Sequence, residues 1–219
     1  MLTAALVLTG FAAGVTGAWS PCGLSMVDTL APNGHARRLR TSLAACATFA
    51  LGALAGGALT FGGLALLGAA LGAGGQAAAG AAAVGAIAAA AAEARGLRIA
   101  PQIRRQVPES WRRRLPFALA AAGYGVLLGL GFTTFVLSFA VWALAGASIA
   151  LGSPALGLAI GLAFGAGRAL PVVCLAPFAG TDRGGAITTA MCERPQILVG
   201  LRRIDALALA ACAFALGTA

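Results

Sequence analysis

The chain has no lysine, a single histidine, a single tyrosine and only six acidic residues among 219. It has no Cys-x-x-Cys, no Cys-x-x-x-Cys and no Cys/His cluster. His35 is the sole imidazole, so zinc and haem lack a ligand set and no bound metal or cofactor is called for. No basic stretch is interleaved with aromatics, which argues against nucleic acid as a partner despite a net charge of +9. Charge of either sign is scarce, at 10% of residues where a soluble domain carries about 25%.

What is abundant is apolar: 60% of residues are hydrophobic and the mean hydropathy is +0.92. A helix needs roughly 20 mostly apolar residues to cross a hydrocarbon core. Backbone polar groups cannot stay unpaired in lipid, so long apolar runs between short charged loops predict an all-α integral membrane protein. Six spans are expected: Leu2 to Leu30 with a break at Pro21, Leu43 to Leu71, Gln76 to Ala92, one within Leu115 to Leu151, Ala155 to Ala179, and Ile197 to Leu216. The stretch Leu115 to Leu151 is longer than one straight span needs. The first 20 residues have no basic leader and run on apolar past Pro21, which reads as a retained helix.

All 15 basic residues are arginine, and all but Arg168 lie in or beside three segments. Arg37, Arg38 and Arg40 follow the first span, the Arg95–Arg114 region follows the third, and Arg183, Arg194, Arg202 and Arg203 follow the fifth. The turns around Gly74 and Ser153 carry no charge. Cytoplasmic loops collect arginine, so both termini are expected outside a cytoplasmic membrane, with lipid headgroups as partners for the arginines.

Three spans, a long Arg-rich loop and three more spans divide the chain into residues 1–94, 95–114 and 115–219. An odd number of helices per half makes the two three-helix repeats inverted, an arrangement that places sites at broken helices near the midplane. Gly52 and Gly56, and Gly157, Gly161 and Gly165, form faces on which helix backbones can approach closely.

Of five cysteines, Cys46 and Cys212 read as small apolar fillers and Cys192 as an inner-loop thiol. Cys22 sits beside the helix break, after Ser20 and Pro21 and before Gly23. It is either a buried thiol next to a kink or one that freed backbone N–H dipoles activate for thiol–disulfide exchange. Arg168 is the one basic residue inside a span, where burial costs several kcal/mol unless it is satisfied. Asp28 is the expected partner, in a structural ion pair or in a polar cavity that contacts an anion or substrate.

Ser20-Pro21-Cys22-Gly23-Leu24 resembles the Ser-Pro-Cys-x-Leu-Pro signature of the CcdA/DsbD family of membrane thiol-electron carriers. Gly129-Leu130-Gly131-Phe132-Thr133 resembles the Gly-x-Gly-Phe-Thr-Pro-Cys stretch that opens that family's second half, and Gly165 to Pro171 is similar to its Gly-Leu-x-Leu-Pro-Phe segment. The resemblance implies transfer of two electrons from a cytoplasmic thioredoxin-like reductant to an extracytoplasmic thiol acceptor, as in cytochrome c maturation. Ser20, Pro21 and Gly23, then Thr133, Thr134 and Phe135, and Pro171 are the expected cavity or helix-break positions. Thr134-Phe135 stands where the family has Pro-Cys, and Ser25 where its first motif ends in Pro. A carrier therefore needs another second thiol, and Cys174 is the expected one. The rival reading is a small-solute or ion transporter on a related scaffold, using Cys22, Asp28 and Arg168.

The charge pattern makes a direct prediction. Reporter fusions at Gly74 and Ser153 are expected to be active outside and a fusion at Gln102 inside; an outside signal at Gln102 overturns the topology.

Overall fold

The computed structural model describes residues 1–32, 38–97, 110–133 and 136–218, all of them helix or connection with no strand among them. Ordered along the chain are α1 (Leu2–Ala18), α2 (Pro21–Leu30), α3 (Leu39–Gly57), a π turn (Ala58–Gly62), α4 (Gly63–Ala70) and α5 (Gly75–Ala94). Then follow the single turn α6 (Trp111–Arg114), α7 (Phe117–Gly129), α8 (Ala140–Leu151), α9 (Pro154–Leu175), α10 (Asp182–Glu193) and α11 (Pro195–Gly217). Three helical stretches are long and apolar enough to cross a membrane: Leu39–Ala70, Gly75–Ala94 and Pro154–Phe178. The bent pair α1–α2 makes a fourth, α7 and α8 are shorter apolar helices, and α11 carries Arg202, Arg203 and Asp205. The described residues are thus all-helical, with three or four apolar spans of the kind that cross a membrane.

The first span is broken, two residues ahead of the expected position. α1 ends at Ala18, α2 begins at Pro21, and their axes differ by 76°. Ser20 caps α2, its Oγ accepting from the Gly23 N–H at 3.3 Å, and proline in the first turn loses no helical hydrogen bond. Gly23 is required here, because a Cβ would lie 2.1 Å from the Ala18 carbonyl oxygen. At the other end of α2, Ser42 of α3 donates to the Leu30 carbonyl at 2.5 Å.

The long stretch between Leu115 and Leu151 is also broken. α7 stops at Gly129, and Gly131 takes a left-handed φ of +74° that an L side chain resists. Helix resumes only at Ala140. Pro171 sits inside α9 without ending it, although its ring removes one backbone donor.

Glycine sets the helix packing. A Cβ added at Gly57 would lie 2.1 Å from the Gly161 carbonyl oxygen, and one at Gly161 would lie 2.2 Å from that of Gly57. α3 and α9 therefore cross with backbone against backbone. Gly165 faces Ala53 and Gly157 faces Phe61 and Ala65, so this pair runs antiparallel. Gly52 and Gly56 meet Ala122 and Val126 of α7, and Gly125 and Gly129 return the contact on Phe49 and Ala53, so α3 and α7 are parallel. α1 and α9 are parallel too: Gly10 meets Ile160 and Gly14 meets Phe164. α11 packs against α1 and α5, and α5 against α8. The π turn is tied to the end of α7 by Thr60, whose Oγ1 donates to the Leu130 carbonyl at 3.1 Å.

Gly57→Val and Gly161→Val are each expected to destabilise the protein by about 1–3 kcal/mol, since neither backbone can retreat without losing the crossing. Gly63 has open space around it, with no atom within 4 Å of where a Cβ would stand. Gly63→Ala should be neutral or stabilising by up to ~1 kcal/mol. Thermal midpoints in detergent separate the two classes.

Candidate functional site

Each broken helix leaves backbone groups without helical partners, and side chains from other helices cover them. At the first break the cover is Arg168 from α9. It is 1% exposed, its guanidinium donates to the Gly17 carbonyl, and its Cζ lies 5.5 Å from the centre of the Phe164 ring. Glycine at position 17 makes room for it: a Cβ there would lie 2.7 Å from Cζ. A cation at the C-terminal end of α1 complements the helix dipole. Arg168 Nε has no hydrogen-bond partner.

Cys22 lies in the first turn of α2, 6% exposed, within electrostatic reach of the Arg168 guanidinium. It belongs to an apolar cluster that includes Met26, Phe49 and Val172, so it faces the bundle and not lipid. Ser20, Gly23, Cys22 and Arg168 are thus brought to one place.

Other expected site residues are not brought there. No ion pair joins Asp28 to Arg168: Asp28 is exposed on α2, past the 76° bend, while Arg168 is buried. Cys174 is exposed while Cys22 is buried. Cys174 stands about 200° around α9 from Val172, the residue on the Cys22 side, so the helix turns its thiol away. Thr133 lies at the second break, where its Oγ1 donates to the Leu127 carbonyl at 2.6 Å. Thr134 and Phe135 lie outside the described residues.

The second break holds groups that motif and span patterns do not single out. Glu93, at the end of α5 and 2% exposed, accepts from the Phe139 N–H and so caps α8 from another helix. Ser138 Oγ accepts from the Ala140 N–H at 3.1 Å. Arg202 donates to Glu93 at 2.5 Å and to the Leu97 carbonyl at 2.5 Å, the one ion pair resolved among the described residues. Beside them lies Asp205 of α11, 0% exposed, with neither carboxylate oxygen hydrogen-bonded. The signal available is a carboxylate within a long, mainly apolar helix, near Arg95 for Glu93 and near Arg202 and Arg203 for Asp205.

A groove of about 570 Å³ between α5 and α8 is lined by small residues such as Ala82, Gly85 and Ala89, with Phe139 and Trp142.

Helices, glycine crossings and paired breaks covered by buried charges define a helical membrane protein with polar groups enclosed in its bundle. The chain is 35% identical over 172 residues to the methylamine utilization protein MauF of Paracoccus versutus, covering 76% of this chain and 63% of that one. It is 36% identical over 177 residues to the methylamine utilization protein MauF of Paracoccus denitrificans, covering 78% and 63%. The alignments thus span just under two thirds of these relatives' length. No family model matches the chain, and no solved structure matches it.

Glu93→Ala leaves the Phe139 N–H without its acceptor and the Arg202 guanidinium with the Leu97 carbonyl but no carboxylate. A loss of about 3 kcal/mol is expected. Replacing Arg202 by Met in the same chain should recover part of it, as read by thermal unfolding in detergent.

Proposed function

We propose that this chain is a membrane thiol relay serving methylamine utilization, with Cys22 as the exchanging sulfur. The relatives' name supports the pathway. The observation that carries the chemistry is the setting of Cys22: the first turn of α2 and the unpaired side of Arg168 both direct positive potential at its sulfur. The Ser-Pro-Cys motif and its resemblance to the CcdA/DsbD carriers point the same way.

The exchange runs through mixed disulfides. The Cys22 thiolate attacks a disulfide of an extracytoplasmic acceptor, forming one S–S bond and releasing one acceptor thiolate, which takes up a proton. A thiolate of a cytoplasmic thioredoxin-like dithiol then attacks the Cys22 sulfur and expels the second acceptor thiolate, which is protonated in turn. The reductant's other thiol resolves the remaining mixed disulfide and frees Cys22. Two electrons and two protons pass from dithiol to acceptor, and Cys174 takes no part.

In this reading six spans form two inverted halves, residues 1–94 and 115–219, in the cytoplasmic membrane with both termini outside. Two pairings support it: α1 on α9 matches α7 on α3, and α3 crosses α9 at reciprocal glycines. An ion-transport reading draws instead on the polar groups of the second break.

Cys22→Ser is expected to reduce disulfide exchange with an extracytoplasmic target to background, while Cys174→Ser retains it. Alkylation should trap Cys22 in a mixed disulfide when the cytoplasmic reductant is withdrawn. Full activity in Cys22→Ser sinks the relay.

A further inference from the structure

Asp205 is the most exceptional charge in the bundle. It is 0% exposed, and both its carboxylate oxygens lack a hydrogen-bond donor. Three elements face it. From α1 comes the Thr16 hydroxyl, itself 0% exposed and without a partner; from the link before α8 comes the Ser138 hydroxyl, 1% exposed. Both act on the carboxylate, yet neither reaches hydrogen-bonding geometry with it. From α5 comes Glu93, and Arg202 projects from α11 itself.

Charge accounting singles out Asp205. Glu93 and Arg202 are paired with each other at 2.5 Å and cancel. Of the two acids here, only Asp205 is left without a paired cation, and in its ionised form it would cost several kcal/mol where it is enclosed. The side chains that act on it besides Arg202 all carry oxygen, the donor type of hard cations. They also sit at both breaks: Thr16 is in the last turn of α1, and Ser138 closely precedes α8. Broken helices meeting at such a point are where membrane proteins hold coupling cations. A divalent ion would leave an excess positive charge; a monovalent ion balances the cluster.

We propose that Asp205, Thr16 and Ser138 form a binding site for one alkali-metal cation of sodium's class, enclosed between the two helix breaks. The site is separate from Cys22 and does not rest on the thiol relay. Ion occupancy would join α1, α8 and α11 through a common ligand.

The test uses the full chain purified in detergent, with sodium chloride titrated against choline chloride at constant ionic strength. A saturable rise in melting temperature with sodium alone is expected, together with radiolabelled sodium bound near one per chain. Asp205→Asn should abolish both effects. Thr16→Val preserves shape and charge while removing one ligand, and should weaken sodium binding roughly tenfold, which keeps the test intact if Asp205→Asn fails to fold. Equal melting temperatures in sodium and choline overturn the proposal. So does a melting temperature that responds to pH and not to sodium, since a proton would then occupy the carboxylate.

Discussion

The crossing of α3 and α9 at Gly57 and Gly161 is the contact from which the rest of the architecture follows. Each glycine occupies the space in which the other's Cβ would stand, at 2.1 and 2.2 Å from a carbonyl oxygen. Helices brought this close gain dispersion and exclude lipid without needing large side chains. The separation also fixes how far neighbours can stand off. α7 lies against α3, and α1 against α9, through further glycines at Gly52, Gly125, Gly14 and Gly167. A bundle assembled backbone to backbone has little side-chain slack, so a substitution at the centre is transmitted to both flanking pairs.

Tight packing creates the second constraint. Helices that stop inside the bundle expose N–H and C=O groups where no water is at hand to pair them, and the chain covers those groups with charges carried by distant segments. Arg168 caps the end of α1, and Glu93 caps the start of α8. Each charge sits at the end of the helix dipole that suits its sign. The same two caps surround the candidate chemistry, Cys22 on one side and Asp205 on the other. Structural necessity at the breaks therefore brings charge into the interior.

Much of this is legible in the residues themselves. Ser20 and Pro21 announce a new helix start, and the stretch ending at Leu151 is too long for one straight span. The glycines of α9 and α3 mark the contact faces, and Arg168 stands out as a cation among apolar neighbours. Other features depend on contacts remote in sequence. Asp28 stands exposed on α2 beyond the 76° bend, unpaired with the buried Arg168. Cys174 shares a depth with Cys22 in a linear count of spans, but depth says nothing of azimuth, and it lies on the opposite side of α9. Glu93 and Asp205 stand close to arginines in sequence and read as members of polar helix ends. Only packing shows them enclosed.

The π turn at Ala58–Gly62 works as a phase corrector. In an uninterrupted α-helix Gly57 and Ala65, eight residues apart, would point about 80° away from each other. The extra residue in the wide turn takes up about 100°, leaving them within about 20°. Gly57 meets Gly161 and Ala65 meets Gly157, so both belong to one seam along α9. Without the wide turn, α4 would present a different face to α9 and Gly68 would rotate off Ile149. A seam of small residues can thus run past the twist of its own helix, and its spacing in the sequence no longer needs to follow the helical repeat.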